Sequence, residues 1–482
     1  MIPASKPCAA GSLSSEGPAG TDSPVARAQP LGRVVAVVGL LALLAVMLFV
    51  ALLQRVPGPE QGGTSWAWRR AHAISGDEPH YLVAVHSILF DRDLDLRDDY
   101  KAVDAGGWEA GSRFKGVLLD HHTQLRDPET GDREYWNRLF DVKRPDRSCH
   151  AEDCYSFHKV DSRFPDPSRV IERSTHPILQ PVVLAALLAP TFPQAEQVEH
   201  RVAWIALAIA WLGCVLTYVV ARNTGLGVVT SLLCSALLGL ASPWLPYTRS
   251  FYGESMLGVV LLAGIWSMQR QRWAAAAALA SALFWIKPHL VSVGAWWLLG
   301  RLRARRYRDA AMMAAIIGAS GLALCAVNFW QVGTVVVGGN NRGWFRWSFD
   351  VMRPLVDSKY GLLPFSPWVL MVFPAMVAAL DGTRSRSVHL LELMAVPTAF
   401  HAVVLAQHFP SYGSCYGSRY WVQFLPWLAI VTVAFTAERS RRVRVLTIVL
   451  AVLGALIAVP AALQLAHSWN VTAFEPLRTL LR

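Results

Sequence analysis

The chain has 482 residues, 53% of them hydrophobic, with a mean hydropathy of +0.33 and a net charge of +11. That balance excludes an ordinary soluble domain and a disordered chain, and describes a polytopic membrane protein whose apolar spans are diluted by a long polar region, 54–175. Nucleic acid is excluded as the partner behind the basic charge, because much of it falls in short loops between apolar segments, where it sets orientation.

Residues 1–33 read as a disordered cytoplasmic tail, rich in Ser, Pro, Gly and Ala without periodicity. Arg27 and Arg33 lead into the first apolar segment, 34–53, which at about 20 residues is long enough to span and stay uncleaved. The polar region after it contains Gly76-Asp77-Glu78-Pro79-His80-Tyr81. Proline is well tolerated in a first helical turn. Tyr81, Leu82, Val85, Ile88 and Leu89 then recur at roughly helical spacing, which predicts an amphipathic helix lying along the membrane. Asp77 and Glu78 would sit at its N-terminus, where carboxylate charge is favoured by roughly 0.3–1 kcal/mol. An ordinary helix cap is the plainer reading of the same pair.

Further along this region, Asp127-Pro128-Glu129-Thr130-Gly131 predicts a turn. Cys149 and Cys154 suit a disulfide if the loop lies outside the cytoplasm, whereas a metal pair lacks a matching second pair. His121-His122 is not spaced for two ligands on one helix face. His158, Lys159 and His176 are ionisable groups available as ligands, bases or contacts; a histidine with structural contacts alone is the commoner case. Cys214, Cys234 and Cys325 fall inside apolar segments, as small core residues.

The remaining apolar segments run 202–220, 226–247, 254–268, 273–287, 288–300, 309–331, 360–380, 388–406, 419–437 and 443–466, predicting an all-α bundle of about 11 spans. Several are short, as in tilted or broken helices buried among others. Arginines at 222, 270, 272, 301, 303, 305, 306, 308, 384, 386, 439, 441, 442 and 444 then fall on one side, which the positive-inside rule makes cytoplasmic together with the N-terminus. The parity requires that 176–193, with Pro181 and Pro190, be a re-entrant or surface segment. The outer face collects 54–175, the 247–254 turn, the 287–289 break, and the 333–360 and 407–420 loops; residues 467–482 form a short outer tail. No internal repeat and no inverted pair of broken helices is visible.

Those outer segments hold Arg249, Tyr252 and Glu254 between two spans, and Lys287-Pro288-His289 at a helix break. Lys359-Tyr360 and Arg419-Tyr420 each open a span. Ionisable groups at membrane entry points mark sites by default, although a snorkelling lysine or an interface anchor explains each one singly. Together, paired acids and several cations on one face fit a lipid-phosphate substrate. Cations hold the phosphate as it leaves, and a carboxylate takes a proton from the attacking hydroxyl. No phosphate-cradling glycine loop or dinucleotide fold is present, so a soluble nucleotide donor does not fit.

The chain resembles the polytopic glycosyltransferases of the GT-C fold, a superfamily that includes protein O-mannosyltransferases and the aminoarabinose transferase of lipid A. The likeness rests on Asp77-Glu78 in the first outer loop, Pro243-Trp244 through Arg249 to Glu254, Lys287-Pro288, Lys359-Tyr360-Gly361-Leu362-Leu363-Pro364, and Arg419-Tyr420 ahead of Pro426. It covers most of 34–466 in order and spacing, with Gly-Asp-Glu-Pro-His-Tyr the most specific piece. The resemblance implies a multi-pass inner-membrane enzyme with a long first extracytoplasmic loop carrying juxtamembrane helices. It implies a polyprenyl-phosphate-linked sugar donor, an extracytoplasmic active site and inversion at the sugar carbon. By position Asp77 is the general base, with Glu78 beside it and Glu254 as a second acid; Arg249, Lys287 and Arg419 are the phosphate ligands. His80, Tyr81, His158, Lys159, His176, Tyr252, His289, Lys359, Tyr360 and Tyr420 are further substrate contacts. The acceptor is an envelope glycan, lipid or protein, and a divalent cation stays open. The large polar part of the loop, 101–175, departs from the commoner members and leaves the acceptor unassigned. Two other classes remain: a transporter or flippase of a lipid-linked sugar, with charges near the midplane and gates on both faces, and a non-catalytic assembly factor docking through the loop.

Overall fold

The computed structural model describes residues 24–57, 64–66, 78–99, 121–138, 141–142, 155–156, 170–333, 335, 350–381, 386–408, 417–464 and 472–481. It is mostly helical. The first helix, α1, spans Pro24–Leu53 and so begins inside the expected tail. Pro24 suits a first helical position, and Ala26, Arg27, Ala28 and Gln29 are strong helix formers that run on into the apolar segment.

Helix α2 spans Glu78–His86. The expected amphipathic surface helix is instead buried: Tyr81, Leu82, Val83, Ala84 and Val85 are all enclosed. They pack with Leu184, Ala185 and Leu188 of α3 (Leu179–Leu188) and with Val198, Val202 and Ala203 of α4 (Val198–Asn223). At 10 residues, α3 is about 15 Å long, half the ~30 Å hydrocarbon core.

The long polar region is not purely helical. Strands β1 (His121–Arg126), β2 (Arg133–Arg138) and β3 (Ile171–Ser174) form an antiparallel sheet in the order β2-β1-β3, with Thr123 opposite Trp136 and Ser174. The β1–β2 connection is the predicted turn: the Asp127 carboxylate accepts from the amides of Glu129 (2.8 Å) and Thr130 (3.3 Å), and Gly131 takes φ 74°. Several contacts anchor the sheet on the bundle. Gln331 Nε2 donates to the Ser174 carbonyl at 3.0 Å, and the Arg173 guanidinium lies 4.6 Å from the Trp330 ring.

The bundle continues through α5 (Val228–Leu240), α6 (Glu254–Gln269), α7 (Trp273–Ile286), α8 (Val291–Arg303), α9 (Tyr307–Val332), α10 (Val372–Leu380), α11 (Arg386–His408), α12 (Leu425–Ala437) and α13 (Arg441–Leu463). Five helical stretches are long and apolar enough to cross a membrane: Leu31–Leu53, Val198–Asn223, Tyr307–Val332, Arg419–Ala437 and Arg441–Leu463. The other apolar helices named by the same test are 10–17 residues long. Cys214 and Cys234 are buried as expected, but Cys325 is exposed on the flank of α9, which shows little of itself to the core.

Successive helices alternate in direction. At one end the tight turns carry the arginines, and Gln269 and Arg270 reach back to Val220 and Asn223 across two of them. At the other end the connections are longer and irregular. Trp244 keys that end. It is fully buried, its Nε1 donates to the Ala210 carbonyl at 3.0 Å, and its ring fills the space above Gly213 of α4 and Gly258 of α6. A Cβ at 258 would lie 2.7 Å from the ring.

Gly258→Ala is therefore expected to lower the melting temperature in detergent. Trp244→Ala is expected to cost about 3–5 kcal/mol. Combining Gly258→Ala with Trp244→Leu should recover part of the glycine variant's loss, because the clash is with the indole; thermal unfolding of the three proteins checks this.

Candidate functional site

The site is built on the turn between α5 and α6. Pro246 opens a single 3-10 turn, Pro246–Arg249, and residues 250–253 then run without regular structure into α6, whose first residue is Glu254. A carboxylate there meets the positive end of the helix dipole. Glu254 is 1% exposed. Lys287 Nζ lies 2.6 Å and Arg419 Nε 2.9 Å from its Oε1. Its Oε2 is buried with no hydrogen-bond partner.

Local chain chemistry delivers both cations. Pro288 disfavours the helical region for the residue before it, and Lys287 accordingly takes φ −136°, ψ 102°, ending α7. Arg419 opens the 3-10 segment Arg419–Phe424, preceded by Ser418 in the left-handed region at φ 62° and followed by Pro426 near the start of α12. Ser418 Oγ donates to the Gly361 carbonyl at 2.5 Å and fixes that entry. Aromatic rings line the cluster: the Arg419 guanidinium is 3.5 Å from the Tyr252 ring centroid, and Lys287 Nζ is 4.6 Å from that of Tyr420.

The same turn holds the second acid. Glu78, 1% exposed at the start of α2, accepts from Ser250 Oγ at 2.7 Å and from the Phe251 amide at 2.8 Å, both at Oε1. Gln180 Nε2 donates to the Phe251 carbonyl. Ser250, Phe251, Tyr252, Ser255, Gln180 and Met256 line part of a small, uncharged groove between α3, α4 and α6.

Arg249 points elsewhere. It makes no ion pair with Glu254; its Nη1 donates to the Ala51 carbonyl at 3.3 Å and its guanidinium lies 4.9 Å from the Trp204 ring. Trp204 Nε1 in turn donates to His200 Nε2 at 2.9 Å. Arg249 is 6% exposed, and its Nη2 is buried without a partner. Burial pushes this guanidinium down to about 10, with Glu199 pulling the other way, so it stays charged at neutral pH.

Of the other expected site residues, His80 and His176 stack at 4.6 Å with Tyr81 edge-on to His176 at 5.7 Å, a structural contact between α2 and the end of β3. Tyr252, Tyr420 and His289 lie at or beside the Glu254 cluster. Lys359 is exposed, and the Asp357 carboxylate accepts from the amides of Lys359 and Tyr360 at 2.9 Å, a local turn. Asp77, His158, Lys159, Cys149 and Cys154 lie outside the described residues. Arg249 and Lys287 are therefore not joined in one contact set, and Asp77 cannot be placed with them. Among the described residues no three His, Cys, Asp or Glu side chains come together to hold a metal ion.

Sequence reading passed over His401. It is fully buried in α11, 2.9 Å through Nδ1 from His289 Nε2 and 2.6 Å through Nε2 from the Tyr420 carbonyl. A lone histidine inside the apolar stretch Leu391–Ala406 was the available signal.

Comparison with protein-family models, with curated proteins and with solved structures finds no match to this chain.

Removing Glu254 leaves two buried cations without their shared carboxylate. Glu254→Gln is expected to cost about 3–5 kcal/mol and to destabilise more than Lys287→Gln, which leaves the Arg419 pair intact. Denaturation in detergent compares the two variants; equal losses would mean that Lys287 alone accounts for the acid's stabilisation.

Proposed function

We propose that the protein is a membrane glycosyltransferase that moves a sugar from a polyprenyl-phosphate donor to a hydroxyl acceptor on a glycan, lipid or protein at the extracytoplasmic face. The observation that carries this reading is the gathering of Glu254, Lys287 and Arg419 on the turn that also hydrogen-bonds Glu78, at one end of an apolar bundle. Buried charge of this density inside a membrane bundle is costly and marks a substrate site. The GT-C resemblance supports the same end of the molecule.

In this reading a carboxylate takes the acceptor's hydroxyl proton, the oxygen attacks the sugar's anomeric carbon, and the bond from that carbon to the phosphate oxygen breaks. The polyprenyl phosphate leaves with the bonding electrons, its charge held by cations. Asp77 is the base. Glu78, with an oxygen already accepting two hydrogen bonds, orients the 250–254 turn. Glu254 holds Lys287 and Arg419 in place, so its role is positioning rather than proton transfer. Arg249 is the phosphate ligand best supplied with an unused donor.

The purified protein in lipid nanodiscs, offered a panel of polyprenyl-phosphate hexoses and pentoses with membrane extract as acceptor, should release polyprenyl phosphate. Asp77→Asn should lower that release by on the order of 10²–10⁴ without changing expression or thermal stability. Absence of both release and binding for every such donor would sink the reading. Arg249→Lys should weaken donor binding with little loss of stability, because lysine lacks the two parallel donors. Unchanged donor affinity in Arg249→Ala would remove Arg249 from the phosphate role.

A further inference from the structure

The arginine end carries a feature that orientation alone does not require. Every basic residue in its described turns is arginine, and three of these stack on tryptophan. The Arg301 guanidinium lies 4.0 Å from the Trp273 ring, Arg303 5.0 Å from Trp296, and Arg272 5.8 Å from Trp266. The Arg301–Trp273 stack crosses from the α8–α9 turn to the α6–α7 turn, so the three pairs form one continuous rim. Trp296 is itself fixed, its Nε1 donating to the Glu392 carbonyl at 2.7 Å.

A guanidinium lying on an indole keeps its edge donors pointing away from the ring, set for two parallel bonds to a phosphate. Arg301 Nε is buried with no hydrogen-bond partner. The nearest acid along the α8–α9 turn, Asp309, makes no ion pair among the described residues. The rim therefore has positive charge that no carboxylate of its own turns answers. The surface beside it is apolar: Leu302 is 44%, Tyr307 65% and Met312 37% exposed. A ligand with phosphate at one end and hydrocarbon at the other matches both parts.

We infer that this rim is a binding site for the headgroup of an anionic phospholipid, with Arg301 at its centre, Arg272 and Arg303 at its flanks, and the acyl chains along the exposed apolar side of α8 and α9. The site lies at the opposite end of the bundle from the Glu254 cluster and stands independently of the glycosyltransferase reading.

Native mass spectrometry of the full-length protein in detergent, titrated with phosphatidylglycerol and with phosphatidylcholine, tests it. The wild type should retain phosphatidylglycerol preferentially. Arg301→Gln should lose about fivefold in that retention, as expected for one cation near a lipid phosphate. Arg301→Lys should lose nearly as much, since it keeps the charge but not the fork or the stack. Trp273→Leu should weaken retention with all charges kept, and Arg303→Gln gives the same readout if Arg301→Gln fails to purify. Arg444→Gln is the control, because Arg444 donates to the Arg439 and Ala437 carbonyls and stacks on no ring among the described residues. Equal losses in Arg301→Gln and Arg444→Gln, or full retention in Arg301→Lys, would reduce the rim to a diffuse positive field and overturn the site. No preference for phosphatidylglycerol would overturn it as well. Displacement of the lipid by millimolar glycerol 3-phosphate would show a soluble-phosphate site and overturn the lipid assignment.

Discussion

A carboxylate closed off from water inside an apolar bundle stays charged only if cations come to it. Glu254 is such a group, and the chain is broken in several places to satisfy it. Pro288 ends α7 so that Lys287 can turn inward. Ser418, in the left-handed region, redirects the chain so that Arg419 enters before α12 begins. The first turn of α6 supplies the helix dipole on the same side. One buried acid thus ties together the start of α6, the α7–α8 junction and the entry to α12, elements that are far apart in sequence.

His401 sets the spacing between the two cation-bearing segments. The Tyr420 carbonyl accepts, so His401 Nε2 carries the proton, and in the neutral ring Nδ1 accepts from His289 Nε2. Gln423 also faces His401 Nε2, and its Oε1 is otherwise buried without a partner. Turning the Gln423 amide so that Oε1 faces the His401 N–H lets it share, at 3.3 Å, the hydrogen already donated to the Tyr420 carbonyl. One imidazole in mid-helix then bridges the residue after Pro288 and the residue after Arg419, with Trp421 and Phe424 packed against its ring.

Most helices were legible because their apolar runs are long or bounded by arginines, and the Asp127 turn was legible because its chemistry is local. What sequence hid was long-range. The apolar spacing in 81–89 matches an amphipathic surface helix, yet α2 packs against α3, α4 and Phe251, and no single-segment pattern reports a partner 100 residues away. The three-stranded sheet escaped because its strands are short and its third strand pairs across a long separation. Within the site, Glu254, Lys287 and Arg419 were each visible as a charge at a membrane entry point, but only packing shows which of them meet. Arg249 illustrates the converse. Five positions from Glu254, it lies at the end of the 246–249 3-10 turn and reaches the carbonyl of Ala51 and the ring of Trp204 instead of that acid.

The two ends of the bundle differ in how their backbone is satisfied, and that difference explains where polar groups can lodge. At the arginine end, helices reverse through short turns that leave little non-helical backbone. At the other end, the segments 246–249, 288–290, 367–371 and 419–424 are all 3-10 and mostly buried. Irregular backbone at membrane depth persists only where protein groups meet its orphan carbonyls. Here tryptophans in or beside the broken segments tie them to their neighbours: Trp244 bonds the Ala210 carbonyl, Trp368 that of Ala241 and Trp421 that of Pro354. Tryptophan is large enough to fill the space that broken helices open and carries one donor to close a carbonyl. The same side chains therefore help to create the enclosed, hydrogen-bonded environment in which Glu254 and Glu78 are buried, and the charged cluster sits where non-helical backbone delivers it.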